Sequence, residues 1–262
     1  MKRFPVIQSL WIGDRLSKLE RLSIQSYIDH GHEFHLYAYG DIANVPPGAS
    51  VKFAGDILPK ENIFRSQNGS VSGFANWFRY EMLCKLGGFW VDCDTICMKP
   101  FDFGDEFVVG KEVVDGVCNA VIGGRHEVLV AMRESCRRYP KEMPWDRDHE
   151  KLRKRKFKAR LLRRGREGSK FGVVGGPLVL TLALRHFGVF EQAKPHTYFY
   201  PIHYGNWDSI FDDTFANGYP VDGNTYCIHF WHNFLVSAGY DKDSGFPHDS
   251  LIEQLKRKHN IK

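Results

Sequence analysis

Apolar positions along this chain follow two periods, one of strands and one of helices. The apolar run over 5–13 predicts a strand that ends at Gly13. Leu16, Leu19, Leu22, Ile24, Tyr27 and Ile28 then recur at helical spacing, and Gly31 stops that helix. Residues 34–39 predict a second strand and 51–54 a weaker third. A helix is expected over 73–86, because Phe74, Phe78, Met82 and Leu86 recur every fourth residue as one buried stripe. Ser72 suits its N-cap and Gly87 its end. A short buried strand over 89–91 runs straight into Asp92-Cys93-Asp94. Strands over 107–109 and 117–122, a helix over 126–139, a helix from Gly176-Pro177 to Phe187 and a late strand over 226–231 complete the pattern. Strands alternate with helices over the first 140 residues, which predicts an α/β domain with a mostly parallel central sheet. No linker divides the chain, so residues 1–262 are expected to form one domain.

The pattern also places candidate chemistry. Asp92 and Asp94 are i and i+2, so on a strand they present two carboxylates to one side. Such a pair repels unless a cation neutralises it, and oxygen ligands suit Mg²⁺ or Mn²⁺. The pair follows an apolar strand and the Gly87-Gly88 turn, at the end of a sheet strand where α/β folds bind ligands. On the preceding helix Asn76 and Arg79 share a face distinct from the apolar stripe. Arg79 offers a planar fork to a carboxylate or a ligand hydroxyl, with a salt bridge to Glu81 or Glu61 as the alternative. On the late strand Cys227, His229 and Trp231 alternate onto one face. His229 offers a further metal ligand and Trp231 a stacking surface; an aromatic core strand is the alternative. His30, His32 and His35 lack ligand spacing and are expected in loops.

Composition narrows the class. Hydrophobic residues at 43% and charged residues at 26% exclude a disordered chain, a coiled coil and a fibre. No run of 18 apolar residues predicts a membrane span, and the basic start Met1-Lys2-Arg3 precedes too short an apolar stretch for a signal peptide. The six cysteines form no CxxC pair, which points to a reducing, cytoplasmic setting. The net charge of +5 is uneven: residues 151–170 hold eleven Lys or Arg against one Glu, so the rest of the chain is net acidic. This basic insertion, at about 141–170, is either a solvated segment or a dock for anionic lipid, into which Phe157, Leu161 and Leu162 would dip. No nucleic-acid motif accompanies the charge.

Phe74-Ala75-Asn76-Trp77-Phe78-Arg79-Tyr80, Leu83, Gly87-Gly88, Trp90 and Asp92-Cys93-Asp94 together resemble the sugar-binding region of D-x-D glycosyltransferases of the family-32 type. That group includes capsule, lipopolysaccharide and α-1,4-galactosyl or N-acetylglucosaminyltransferases. Trp11-Ile12-Gly13 is similar to the family's base-stacking tryptophan. Cys118-Asn119-Ala120 resembles its N-N-A segment beside the donor sugar, Gly175-Gly176-Pro177 its G-P turn, and Ile228-His229-Phe230-Trp231-His232-Asn233 its C-terminal H-x-W segment. The chain departs from the family pattern at Asn76, where Asp is usual, and at Trp90, where Tyr is usual. Asn accepts through its carbonyl but also donates and carries no charge.

The resemblance implies a GT-A, Rossmann-like fold and a retaining transfer from a nucleotide-sugar, with a UDP-sugar favoured, to a glycan or lipid-linked acceptor in bacterial surface polysaccharide synthesis. It implies Mn²⁺ or Mg²⁺ on Asp92, Asp94 and His229. It places Trp11 on the base, Asn76, Arg79, Trp90 and Asn119 on the donor sugar, and Trp231 over the diphosphate. Asp92, Asp94 and Arg79 are then the catalytic candidates, and a front-face displacement follows because no side chain is placed as a nucleophile. Two rival readings remain. Val91-Asp92-Cys93-Asp94-Thr95-Ile96 approaches the D-x-D-x-[TV] strand of haloacid-dehalogenase phosphohydrolases, with Asp212-Asp213 as a late acidic pair. A polyanion-binding module built on 151–170 is the other.

Overall fold

The computed structural model describes residues 4–103 and 106–262; Met1, Lys2 and Arg3, the basic start, lie outside them. Its strands are β1 (Ile7–Leu10), β2 (Phe34–Ala38), β3 (Ala49–Phe53), β4 (Phe89–Val91), β5 (Thr95–Cys97), β6 (Val108–Val113), β7 (Gly116–Gly123) and β8 (Cys227–His229). Its α-helices are α1 (Lys18–Asp29), α2 (Ser72–Leu86), α3 (Glu127–Arg137), α4 (Glu150–Leu161), α5 (Pro177–His186), α6 (His232–Ser237) and α7 (Leu251–Lys258). Six strands form a sheet in the order β3-β2-β1-β4-β7-β6, and β5 and β8 form a separate pair. β1 and β2 run parallel with Ile7 opposite Phe34, β2 and β3 run parallel, and β6 returns antiparallel to β7. This is the mostly parallel α/β sheet that the alternation predicts.

The chain divides into two compact units: residues 4–53, 91–103 and 195–262 in the first, and 54–90 with 106–194 in the second. In the first unit α1 starts where the Ser17 amide donates to Glu20 Oε2 at 2.8 Å, half of a capping box. Its inward face does more than bury Leu19 and Leu22. Ser23 Oγ donates to the Thr95 carbonyl at 2.7 Å, Ser26 Oγ accepts from the Cys97 amide at 2.8 Å, and the Tyr27 hydroxyl meets Thr95 Oγ1 at 2.9 Å. Three α1 side chains thus clamp β5, a three-residue strand too short to show a period in the sequence.

In the second unit, Gly87 and Gly88 both take left-handed φ, 73° and 75°, to turn α2 sharply into β4. α2 is buried on nearly every side, so its apolar stripe is only part of its packing. Leu86, expected on that stripe, is 46% exposed because the helix ends there, and Ser72 is the first helical residue and not the cap. Glu81 accepts from Trp77 Nε1 at 2.8 Å and from the Arg137 fork at 2.5 and 2.7 Å, so it is not the partner of Arg79.

The basic insertion contains an ordered helix, α4, with Leu152, Lys156 and Ala159 buried on one face. Lys156 Nζ reaches Asp146 Oδ2 at 2.6 Å, both side chains being essentially inaccessible. That cation is therefore structural and does not belong to the surface charge. Arg166 donates to the Cys136 carbonyl at 2.9 Å and lies 4.1 Å over the Trp77 ring, which fixes the segment after α4.

His32 is not a loop residue of no consequence. It is 4% exposed, its Nδ1 faces the Pro5 carbonyl at 2.9 Å, and its Nε2 accepts from the Phe101 amide at 2.9 Å. The ring is thus held neutral with the proton on Nδ1. Burial lowers its pKa, and the Pro5 hydrogen bond opposes this only in part. A histidine whose folded pKa lies below its free value of about 6.5 gives full stability above that value and loses it as pH falls below. Thermal melts should therefore show a larger loss of Tm between pH 8 and pH 5.5 in the wild type than in His32→Leu. An equal loss in the two proteins would contradict this account of His32.

Candidate active site

The two aspartates are brought together by a turn and not by strand alternation. β4 ends at Val91, and Asp92-Cys93-Asp94 turns tightly into β5, with the Thr95 amide donating to the Asp92 carbonyl at 3.1 Å. Thr95 Oγ1 donates to the same carbonyl at 2.9 Å. Between the aspartates, Cys93 Sγ lies 3.0 Å from Ser9 Oγ. Burial pushes the Cys93 thiol far up.

β8 pairs antiparallel with β5 and sets His229 opposite Thr95. The Phe230 amide donates to the Asp94 carbonyl at 2.8 Å, extending the pairing by one step. His229 Nε2 thereby comes to 3.2 Å from Asp94 Oδ2. The strand stops there. Trp231, expected on the strand face, instead takes a left-handed φ of 51° and caps α6. That turn delivers a residue which the sequence reading left without a role: His232 gives Asp94 Oδ2 its Nδ1 at 2.7 Å and its backbone amide at 3.1 Å.

Asp94 is 3% exposed. Burial disfavours its charge, yet His229 and His232 beside it hold its carboxyl well below the usual range. In turn, burial disfavours a charged His232, but the Asp94 carboxylate outweighs it and raises the His232 pKa. Asp94 Oδ1, by contrast, is buried and has no hydrogen-bond partner among the described residues. Asp92, Asp94 and His229 each offer a ligand atom within 4.8 Å of the others, the one such group of three among the described residues. An orphaned carboxylate oxygen beside a second carboxylate and an imidazole fits a divalent cation.

Trp231 is buried: its ring centroid lies 4.0 Å from that of His229, and its Nε1 donates to the Ile202 carbonyl at 2.9 Å. It braces the His229 ring. Trp11 is part-exposed after β1, its Nε1 donating to the Arg15 carbonyl at 3.0 Å, with Lys242 Nζ 5.0 Å from the ring centroid.

Asn76, Arg79, Trp90 and Asn119 belong to the second unit, where they form one buried network. Asn76 Oδ1 accepts from Arg79 Nη1 at 2.7 Å and from Asn119 Nδ2 at 2.9 Å, and Asn76 Nδ2 donates to the Val174 carbonyl at 3.0 Å. The Tyr80 hydroxyl and Asn119 Nδ2 both donate to the Gly175 carbonyl, at 2.9 and 3.3 Å. Gly175 is needed there: its φ is 62°, and a Cβ would stand 2.6 Å from Cys136 Sγ. The Arg79 guanidinium lies 4.7 Å over the Trp90 ring, so that buried ring supports Arg79. An amide at position 76 satisfies both sides of this network, since it accepts from two donors and donates to a carbonyl; a carboxylate would face the Val174 oxygen.

Removing the amide should therefore be costly. Asn76→Ala leaves Arg79, Asn119 and Val174 short of a buried partner, a loss of about 2 kcal/mol or more. For a chain of this size that corresponds to roughly 4–8 °C in Tm. An unchanged melting temperature would remove Asn76 from the centre of the network.

Residues 184–259 match the alpha 1,4-glycosyltransferase conserved region, a stretch that contains His229, Trp231 and His232. No match is found among curated proteins. Among solved structures, the chain is similar to one titled "PaToxG Glycosyltransferase", at 13% identity and a TM-score of 0.40, over 73% of this chain and 88% of that one. β8 and α6 both lie inside the matched region, and the D-x-D turn pairs to β8, so this part of the chain is similar to the alpha 1,4-glycosyltransferase conserved region.

Proposed function

We propose that the enzyme moves a sugar from a nucleotide-sugar, with a UDP-sugar favoured, to a glycan or lipid-linked acceptor, and that Asp92, Asp94 and His229 hold a divalent cation for this reaction. The observation that carries the reading is the bare Oδ1 of buried Asp94 beside Asp92 and His229. A Mn²⁺ or Mg²⁺ ion bound there supplies Lewis-acid neutralisation of a diphosphate leaving group. Asp94 serves as a fixed anion, because His232 and the α6 amide hold its Oδ2 in place. Trp231 keeps the His229 imidazole in its orientation. Trp11 offers the part-exposed ring on which a nucleoside base stacks. In the second unit Arg79 and Asn119, both aligned by Asn76, are the groups that fix donor hydroxyls. The transfer then proceeds by front-face displacement with retention.

The surface of the basic segment fits a lipid-linked acceptor, such as one in surface polysaccharide synthesis. Phe157 and Leu161 are 58% and 72% exposed, one turn apart on α4 among its cations. Among the described residues no helix is long and apolar enough to cross a membrane, and the six cysteines are free, which suits the cytoplasmic face.

The test is release of the nucleoside diphosphate from a panel of UDP- and GDP-sugars. Activity should require Mn²⁺ or Mg²⁺ and vanish in EDTA. Asp94→Ala should lower the rate about 100-fold or more with the fold retained by circular dichroism, as expected when an ion's charged ligand is lost. Full activity in EDTA, or in Asp94→Ala, would overturn the reading.

A further inference from the structure

One cavity of the second unit is not accounted for by glycosyl transfer at the D-x-D turn. It encloses about 270 Å³ between α4, the segment that follows it, Gln67 and Tyr139. Among the described residues five cationic side chains line it, Lys154, Arg155, Lys158, Arg164 and Lys170, and no carboxylate does. Lys154 has a counter-ion, Glu150 Oε1 at 2.6 Å. For the other four no ion pair is present among the described residues. Cations gathered in a concave site without counter-charge repel one another, and an anion relieves that cost.

The walls are built and not draped. Gly168 N donates to the Arg65 carbonyl at 2.8 Å, and Gln67 N donates to the Ser169 carbonyl at 2.9 Å. Lys156 and its buried partner Asp146 anchor the opposite wall, α4. Tyr139 keeps its proton, since burial raises its pKa, and so offers a neutral donor beside Arg155. A shallow depression shares Gln67, Arg155 and Lys170 and extends to Phe171, which is 55% exposed. The volume lies just below the range of about 300–1,000 Å³ that whole small ligands occupy. It suits a compact anionic head whose carrier leaves over Phe171.

We infer that this cavity is a binding site for a phosphate or pyrophosphate group, held by Arg155, Lys158, Arg164 and Lys170, and separate from the cation-holding aspartates. Arginine forks and lysine point charges together match the geometry and charge of such a group. The group belongs either to a soluble anion or to the head of a phosphorylated lipid, and the chemistry of recognition is the same.

Calorimetric titration with inorganic pyrophosphate, without divalent cations, tests the site independently of the metal and of the transfer reaction. One pyrophosphate should bind per chain. The double variant Arg155→Gln/Lys158→Gln should weaken binding about tenfold or more, the loss of two charge-assisted contacts. Lys151→Gln/Arg160→Gln removes the same charge from α4 outside the cavity and should weaken it less than about threefold, as screened surface charges do. Absence of binding to the wild type, or equal weakening in both variants, would overturn the site. Vesicles then identify the source. Preference for phosphatidic acid over phosphatidylserine at equal surface charge, lost in the cavity variant and competed by pyrophosphate, assigns a lipid phosphomonoester head. Equal binding to both lipids assigns a soluble anion.

Discussion

A carboxylate taken out of water must be compensated where it stands, and Asp94 is compensated on one oxygen only. Its Oδ2 collects the His229 ring, the His232 ring and the His232 amide, while Oδ1 is buried with nothing to accept from. The surrounding structure serves this asymmetry. α1 clamps β5 through Ser23, Ser26 and Tyr27, and β5 holds β8 in register, which puts His229 opposite Thr95. The left-handed Trp231 then turns the chain so that α6 begins against the carboxylate. Each step is local hydrogen bonding, and together they leave one oxygen of a buried anion without a hydrogen-bond partner among the described residues.

The second unit solves a different problem, the burial of an arginine. Arg79 is 2% exposed and is held by the Asn76 carbonyl and the Trp90 ring. Asn76 meets three partners with one amide, so its identity follows from packing as much as from any ligand. The basic insertion obeys the same logic. Lys156 and Arg166 are spent on Asp146 and on the Trp77 ring, and this order lets the remaining cations line a cavity.

Elements with a strong period or a glycine boundary were legible in the sequence: α1, α2, β4 and the Gly87-Gly88 turn. So were the aspartates, although the reason they converge is a turn. The features the sequence does not mark lack periodicity. β5 has three residues and exists because α1 holds it. α4 is polar enough that its buried Leu152, Lys156 and Ala159 do not stand out as a stripe. His32 looked idle because its partners, Pro5 and Phe101, are distant in sequence. His232 acts through its ring and its backbone amide at a helix start, and its only trace in the sequence is its place within the Ile228-His229-Phe230-Trp231-His232-Asn233 segment.

The claim that Asp92, Asp94 and His229 form a cation site, with His232 positioning Asp94 from outside it, is tested most directly by electron spin echo measurements on bound Mn²⁺. The wild type should bind one Mn²⁺ and show nitrogen modulation from one imidazole. That modulation should vanish in His229→Gln and persist in His232→Gln. Modulation that survives in His229→Gln, or Mn²⁺ that binds equally well to Asp94→Asn, would contradict the account.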